Sequence, residues 1–468
     1  MKRSKSIAVF CLSAGLLAGI SSVPVHPQAA APEPRGVLTS GSPKEDGPRE
    51  SEREKEINIL SYGLDTEIIA MLDEFMANKT YHYLDELDEI LRSTRSVPLR
   101  EKVIMYFTAA EDDRLADYAL EILEDPFDTK NSTVSLLFKY VSTVKVEEAG
   151  PMARTLLEEE YMEYFEGALT ALAEVGTAED AQFLAGYINR EELSIAQQQS
   201  VMKALGRLKA VETWEALVDI ARNEDKNTFV RMYAAEAIGA MEKAESVEVL
   251  AQLFESSDPN LRASVIKGIS HFPSDGTAVA IIIEGIRDSH HKVRLEAITA
   301  VREHKIKAAS QHIVFRAKSD PEPSIKYACF ETIGILADSE GIKYLQELVG
   351  EKHALDTARV KASEALLASG SSAAVESVLS LARESLGDDK KKHLRYALGK
   401  VFAGMDNPAL ADVCKEFLVS KDVATVGTGL DIYARNKFPS VTQEVQAIAD
   451  SETASPNRTK ARKILDRE

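Results

Sequence analysis

The chain has 468 residues, of which 75 are acidic and 56 basic, so its formal net charge is −19. This charge argues against nucleic acid and anionic lipid surfaces as main partners, because both would repel the protein. With 44% hydrophobic residues the chain can bury a large core, and with three cysteines it cannot depend on a disulfide framework.

The first 31 residues have the layout of a secretory signal peptide. Three bases near the start precede an apolar run over residues 7–20, and three alanines stand at 29–31. The apolar run is shorter than the roughly 20 residues that a membrane span needs. We therefore expect export to the bacterial periplasm or cell envelope, and an uncleaved N-terminal anchor is the alternative.

Residues 32–56 are rich in proline, glycine, serine and charged residues, which predicts a flexible linker. A helical pattern begins near Ile57. No later apolar segment approaches membrane-spanning length, so we expect no membrane insertion after the signal peptide is removed.

A large apolar residue recurs at nearly constant intervals from residue 107 to residue 402. The steps are 33, 32, 33, 33, 31, 32, 32, 33 and 36 residues, and the residues are Phe107, Tyr140, Leu172, Leu205, Ile238, Ile269, Val301, Ile333, Leu366 and Phe402. A period in this range indicates stacked repeats, in which each unit is too small to bury its own apolar face.

Each unit of the middle region predicts two helices joined by a polar turn. The second helix has apolar positions at i, i+4 and i+8, which form one stripe, and its first turn carries a base: Arg231, Arg262, Arg294, Lys326, Arg359 or Arg395. The turns at 257–259 and 319–321 share the sequence Ser-Asp-Pro. We interpret them as equivalent turns that cap the second helix.

This unit resembles the HEAT repeat, most closely at residues 229–239 and 293–301. The resemblance is specific over residues 194–402 and weaker over 57–193 and over 403–468, and Phe165, Gln198 and Gly427 stand where a base is expected. It implies an all-α, right-handed α-solenoid of roughly eleven to twelve helix pairs. It also implies that the base-bearing helices line the concave surface, and that their bases form a structural ladder with the turn aspartates.

No motif in the sequence predicts a catalytic residue, a cofactor or a metal ion. HEAT-like hydroxylases bind a di-iron centre through His-Glu dipeptides, and this sequence contains none. His290 and His291 follow Asp288, but no further ligand stands at a suitable spacing. Another HEAT-like group attaches bilin chromophores to phycobilisome subunits, and an enzyme of this chromophore lyase type stays open as an alternative on fold analogy alone.

The residue five positions after each base is a plausible partner contact, and these residues are Glu236, Lys267, Thr299, Glu331, Glu364 and Lys400. We expect an exported, non-enzymatic scaffold or adaptor that binds partner proteins along this stripe through many modest contacts. A regulatory subunit of an envelope enzyme or transport complex is an alternative. The stripe itself can also be interpreted as ordinary solvent-facing helix residues.

Aromatic residues cluster in the less regular N-terminal part of the chain, at Tyr81, Tyr83, Tyr161, Tyr164 and Phe165. Exposed aromatic side chains often anchor protein partners. The first units of a stack must also seal its end, and aromatic residues pack well there. Both interpretations stay open at the level of sequence.

Overall fold

The computed structural model describes residues 52–190, 192–452 and 454–466, and these residues form 26 α-helices and no strand. The helices are α1 (Glu52–Tyr62), α2 (Asp65–Asn78), α3 (Leu84–Ser93), α4 (Val97–Ala110), α5 (Ala116–Glu124), α6 (Asn131–Val144), α7 (Ala149–Glu158), α8 (Phe165–Val175), α9 (Ala178–Ala185), α10 (Ile195–Arg207), α11 (Trp214–Arg222), α12 (Thr228–Ala240), α13 (Ser246–Phe254), α14 (Pro259–Ile269), α15 (Gly276–Gly285), α16 (His291–Glu303), α17 (Ser310–Ser319), α18 (Pro323–Leu336), α19 (Ser339–Gly350), α20 (Asp356–Ala368), α21 (Ser372–Leu386), α22 (Lys392–Ala403), α23 (Ala411–Leu418), α24 (Val423–Asn436), α25 (Thr442–Ala449) and α26 (Pro456–Asp466). The predicted all-α fold is confirmed.

The predicted signal peptide and most of the predicted linker, residues 1–51, lie outside the described residues. Helix α1 begins at Glu52, five residues before the predicted start of the helical pattern at Ile57. Within the described ranges, no helix combines the length and the apolar character that crossing a membrane requires.

The helices alternate between two layers of a solenoid. Every even-numbered helix packs on the odd-numbered helix before it, and each one up to α24 also packs on the next even-numbered helix. Paired in chain order, the 26 helices make thirteen pairs, compared with the eleven to twelve expected from the sequence. The periodicity is weakest at the two ends of the stack, where the sequence gives little basis for counting units.

The recurring large residues all lie in even-numbered helices, and each of the ten is at most 2% exposed. They are the inward anchors that the period predicted. The same residues also help to end their helices: the amides of Ala210 and Ile306 donate to the carbonyl oxygens of Leu205 and Val301, each at 3.0 Å. This bond joins the second residue beyond the C-cap to the third residue from the helix end, which is the pattern of a Schellman motif.

Consecutive even-numbered helices approach each other to backbone contact. A Cβ atom on Gly239 of α12 would lie 2.2 Å from the carbonyl oxygen of Gly268 in α14, and one on Gly334 of α18 would lie 2.5 Å from that of Ala365 in α20. Only a residue without a side chain fits at such positions. The odd-numbered helices pack less closely on one another, from which we infer that the stack curves toward the even-numbered helices, which we call the inner layer.

Two bases form the ladder that the HEAT resemblance implies. Arg262 of α14 donates from Nε and Nη2 to both carboxylate oxygens of Asp288 in the next unit, at 2.7 and 2.9 Å. Arg294 of α16 binds Asp320 in the same way, at 2.8 Å for both bonds, and this pair is almost fully buried. Each guanidinium group also donates from Nη1 to two turn carbonyl oxygens, so bidentate, charge-assisted bonds hold neighbouring units in register.

The other arginines of the series make their hydrogen bonds within their own unit, and Arg359 and Arg395 also lie 3.8 Å from Glu384 and Asp422 of the next unit. Their guanidinium groups donate to carbonyl oxygens in the last turn of the preceding odd-numbered helix: Arg231, Arg359 and Arg395 bind Ala221, Val349 and Ser385, respectively. A cation at this place satisfies an orphan carbonyl group and interacts favourably with the helix dipole. All five arginines are therefore committed to the scaffold.

The predicted equivalence of the two Ser-Asp-Pro turns is wrong. Asp258 is the N-cap of α14, which begins at the following proline, and its carboxylate accepts a bond from the amide of Asn260. Helix α18 begins only at Pro323, because the proline ring disfavours the helical conformation at the residue before it. Asp320 therefore lies two residues before the N-cap, where its carboxylate can reach Arg294 of the previous unit.

We expect the Asp320→Ala variant to lose about 3–5 kcal/mol of unfolding free energy, because the substitution leaves the buried Arg294 cation without its partner. Urea denaturation followed by circular dichroism measures the loss. Asp389→Ala is the matched control, since Asp389 is 87% exposed and lies 3.9 Å from Arg395, and its loss should stay below about 1 kcal/mol. Equal losses in the two variants would contradict a structural role for the ladder.

We expect the Lys305→Gly variant to gain roughly 1 kcal/mol of unfolding free energy, because Lys305 adopts a left-handed conformation (φ 52°) that glycine adopts without a steric penalty. Thermal denaturation provides the measurement. Glu303→Gly, within the last turn of α16, should instead lower the melting temperature. A destabilised Lys305→Gly variant would show that the lysine side chain makes a stabilising contact.

Candidate partner-binding surface

Helices α8, α10, α12 and α14 form a groove of about 670 Å³ on the inner layer, which we call the inner groove. Small residues of these helices contribute to its lining: Ala173, Ala204, Gly206, Ala237 and Ala240. The short side chains that let neighbouring helices approach each other also leave room above the helix contacts. The groove therefore follows from the packing of the inner layer.

Two of the six predicted contact residues, Glu236 and Lys267, line the inner groove. Thr170 and Lys203 line it as well, and they hold the same position in the two preceding units, five residues after Phe165 and Gln198. Sequence reasoning missed these two residues because their units lack the base from which the position was counted. The spacing of the large residues alone would have identified them.

The acidic side chains of the inner groove are paired with bases from neighbouring units. Lys267 Nζ lies 2.6 Å from Glu236 Oε2, and Ser264 Oγ donates to Glu236 Oε1 at 3.0 Å. Two further pairs join consecutive units, Arg207 with Glu174 at 2.9 Å and Lys209 with Glu242 at 2.6 Å. The bond from Lys209 lowers the pKa of the Glu242 carboxyl group, which keeps it ionised.

The other four predicted contact residues lie on the same inner layer beyond the groove. Glu331 pairs with Arg302 at 2.6 Å, and Glu364 pairs with Lys361 at 2.8 Å. Thr299 is half-buried on α16, and Lys400 is exposed on α22. The structure brings Glu236 and Lys267 into contact and leaves the remaining four distributed along the stack, so their role as contact residues stays a prediction.

A larger cavity, of about 1580 Å³, lies where the first and the last units approach each other. It is lined by residues of α1 to α3 with their connecting loop and by residues of α22 and α24. Polar groups in its lining are bonded to other residues of the same chain. Tyr83 Oη donates to Glu56 at 2.8 Å, and Arg435 binds both carboxylate oxygens of Asp406. Burial and the neighbouring Glu56 raise the pKa of Tyr83 to about 12, which makes it a poor proton donor at neutral pH.

The aromatic residues singled out in the sequence divide between packing and cavity lining. Tyr164 and Phe165 are buried, and Tyr161 packs edge-on against Phe127 with ring centroids 4.8 Å apart. Tyr81 and Tyr83 are half-buried and line the cavity at the end of the stack. The N-terminal aromatic residues therefore contribute mainly to packing.

The histidine pair and the nearby Asp288 make contacts within the fold. Asp288 binds Arg262, while His290 is the N-cap of α16 and accepts a bond from the amide of Lys292. The rings of His290 and His291 stack with centroids 4.7 Å apart. Across the described part of the chain, no group of three or more His, Cys, Asp or Glu side chains is arranged to hold a metal ion.

Several solved structures resemble this chain at low sequence identity. Escherichia coli YibA is 16% identical over 57% of this chain and 95% of its own, with a TM-score of 0.37. The CpcE–CpcF phycocyanin lyase complex of Nostoc is 16% identical over 47% of this chain and 94% of that one, with a TM-score of 0.29. Kap121p is 13% identical over 89% of this chain and 54% of that one, with a TM-score of 0.40. These likenesses concern the fold alone.

Among curated proteins, no sequence matches this chain significantly. The sequence model of one family, described as Spirochaete HEAT repeat protein, matches residues 60–464. The match spans both the regular units and the divergent units at either end of the stack. The chain therefore belongs to the spirochaete HEAT repeat protein family.

Proposed function

We propose that this protein is an exported scaffold or adaptor that binds partner proteins along the inner layer of its solenoid. The observation that supports this function best is the inner groove, which crosses four consecutive units and combines a floor of small residues with charged side chains. A concave surface built from repeated units is the kind of surface that solenoid proteins use for binding.

Binding in this proposal depends on shape and on many modest contacts. The floor of alanine and glycine admits apolar side chains of a partner segment, and burial contributes about 25 cal/mol per Å² of apolar surface. The inter-unit ion pairs hold the groove in its bound shape before the partner arrives, which reduces the ordering cost of association.

Export forms part of the proposal and is supported by sequence features. The bases, apolar run and small residues of positions 1–31 have the order of a signal peptide. Cys329 and Cys414 are both buried in the described solenoid and are not bonded to each other. The bacterial periplasm or cell envelope is the proposed location.

A photo-cross-linking experiment in the native cell tests the proposed function. A photoreactive amino acid at Thr170 or Glu331, both exposed on the inner layer, should form adducts with a discrete set of proteins. The same amino acid at Glu248, exposed on the odd-numbered helix α13, is the matched control and should form far fewer. Equal labelling from both layers would contradict binding along the inner layer.

Substitutions then test whether the captured proteins occupy the groove and the stripe. Ala240→Trp fills the groove and should abolish capture, while Ala178→Trp at the start of the odd-numbered helix α9 should leave capture unchanged. Charge reversal at Glu236, Glu331 and Glu364 together should weaken capture. Unchanged capture of every partner by this triple variant would refute the contact stripe.

A further inference from the structure

The inner groove presents bases to the solvent more than it presents acids. Its lining contains three acids, Glu174, Glu236 and Glu242, and four bases, Lys203, Arg207, Lys209 and Lys267. Each acid pairs with one of the bases, and Lys203, which is exposed, belongs to none of these pairs. The groove thus has a surplus of positive charge on a protein whose net charge is −19.

The exposure of the paired side chains increases this surplus at the surface. In the pair of Lys267 with Glu236, the lysine is 56% exposed and the glutamate 18%. The corresponding values are 61% and 24% for Arg207 with Glu174, and 53% and 47% for Lys209 with Glu242. In the first two pairs the carboxylate is clearly the more covered partner, and in all three the exposed ammonium or guanidinium group has N–H donors left for a further acceptor.

We propose that an acidic segment of a partner protein binds in the inner groove. This proposal rests on the proposed function and adds the chemistry of the partner. Carboxylates of the segment bind Lys203 and the exposed donors of Arg207, Lys209 and Lys267. Its small apolar side chains lie on the floor around Ala204 and Ala240. Charge complementarity of this kind supplies specificity and a fast association rate.

A nucleic acid, the other common polyanion, fits the groove less well. Proteins that bind single strands without sequence preference stack successive bases on several aromatic side chains, and among the described residues that line the groove only His271 carries an aromatic ring. A phosphate backbone also carries a charge at every nucleotide and would be repelled by the acidic remainder of the protein. A peptide with a few carboxylates avoids most of this repulsion.

Fluorescence anisotropy with three labelled probes tests the proposal on the full chain. The probes are a twelve-residue peptide of Glu, Ala and Leu, its counterpart with Lys in place of Glu, and a single-stranded DNA twelve-mer. Only the acidic peptide should bind, and its affinity should fall as salt concentration rises. Binding of the Lys peptide or the DNA with affinity equal to that of the acidic peptide would overturn the proposal.

Two variants with the same change of charge test whether the acidic peptide binds in the groove. Lys203→Glu should weaken binding of the acidic peptide about tenfold, which corresponds to the loss of one charge-assisted contact. Lys226→Glu makes the same charge change at an exposed turn outside the groove and should have little effect. Equal effects of the two variants would contradict the proposed site, and melting temperatures confirm that both variants are folded.

The same variants separate this inference from the proposed function. If Ala240→Trp abolishes capture of the cellular partner while Lys203→Glu leaves both that capture and peptide binding intact, the scaffold function holds and the acidic chemistry is refuted. If neither variant affects the cellular partner although Lys203→Glu weakens the acidic peptide, the groove binds acidic segments and the proposed function fails.

Discussion

The close approach of consecutive inner helices is the constraint on which the rest of this structure depends. At Gly239 and Gly334 the facing backbone lies where a Cβ atom would stand, so these helices cannot accept a larger residue without moving apart. Tight packing on one side of a two-layer stack produces curvature toward that side. Small residues on the same helices also leave the inner groove open, so one packing requirement accounts for both the curvature and the candidate site.

The arginine series shows how one sequence pattern serves two structural purposes. Arg262 and Arg294 bridge to the next unit because the acceptor aspartate lies two residues before a helix N-cap. Where the aspartate is itself the N-cap, as Asp258 is, its carboxylate is used by its own helix. The corresponding arginine then binds a helix end within its own unit. These bonds hold neighbouring helices in register, and a preorganised surface of this kind reduces the ordering cost of the proposed binding.

Pairing within the inner layer changes the interpretation of the contact stripe. In the sequence, the stripe is a mixture of acids and bases with no preferred ligand charge. In the structure, Glu236 receives bonds from Ser264 and Lys267 and is largely covered, while Lys203 stays exposed and outside the ion pairs. Where this mixed stripe lines the inner groove, the exposed charge is therefore mainly basic. This difference in exposure, rather than the residue count, supports an acidic protein segment as the ligand.

The sequence by itself determined the helical class, the repeat period, the inward anchors and the family, because an apolar stripe and its period are local properties of the chain. It also indicated six contact positions, of which two meet in the groove. Only the tertiary structure decided which turn aspartates form the ladder. A carboxylate two residues before the N-cap reaches the arginine of the previous unit, whereas a carboxylate at the N-cap binds its own helix. The tertiary structure alone decided the electrostatics of the groove, because pairing and exposure depend on side chains about 30 residues apart that only the stacking of units brings together.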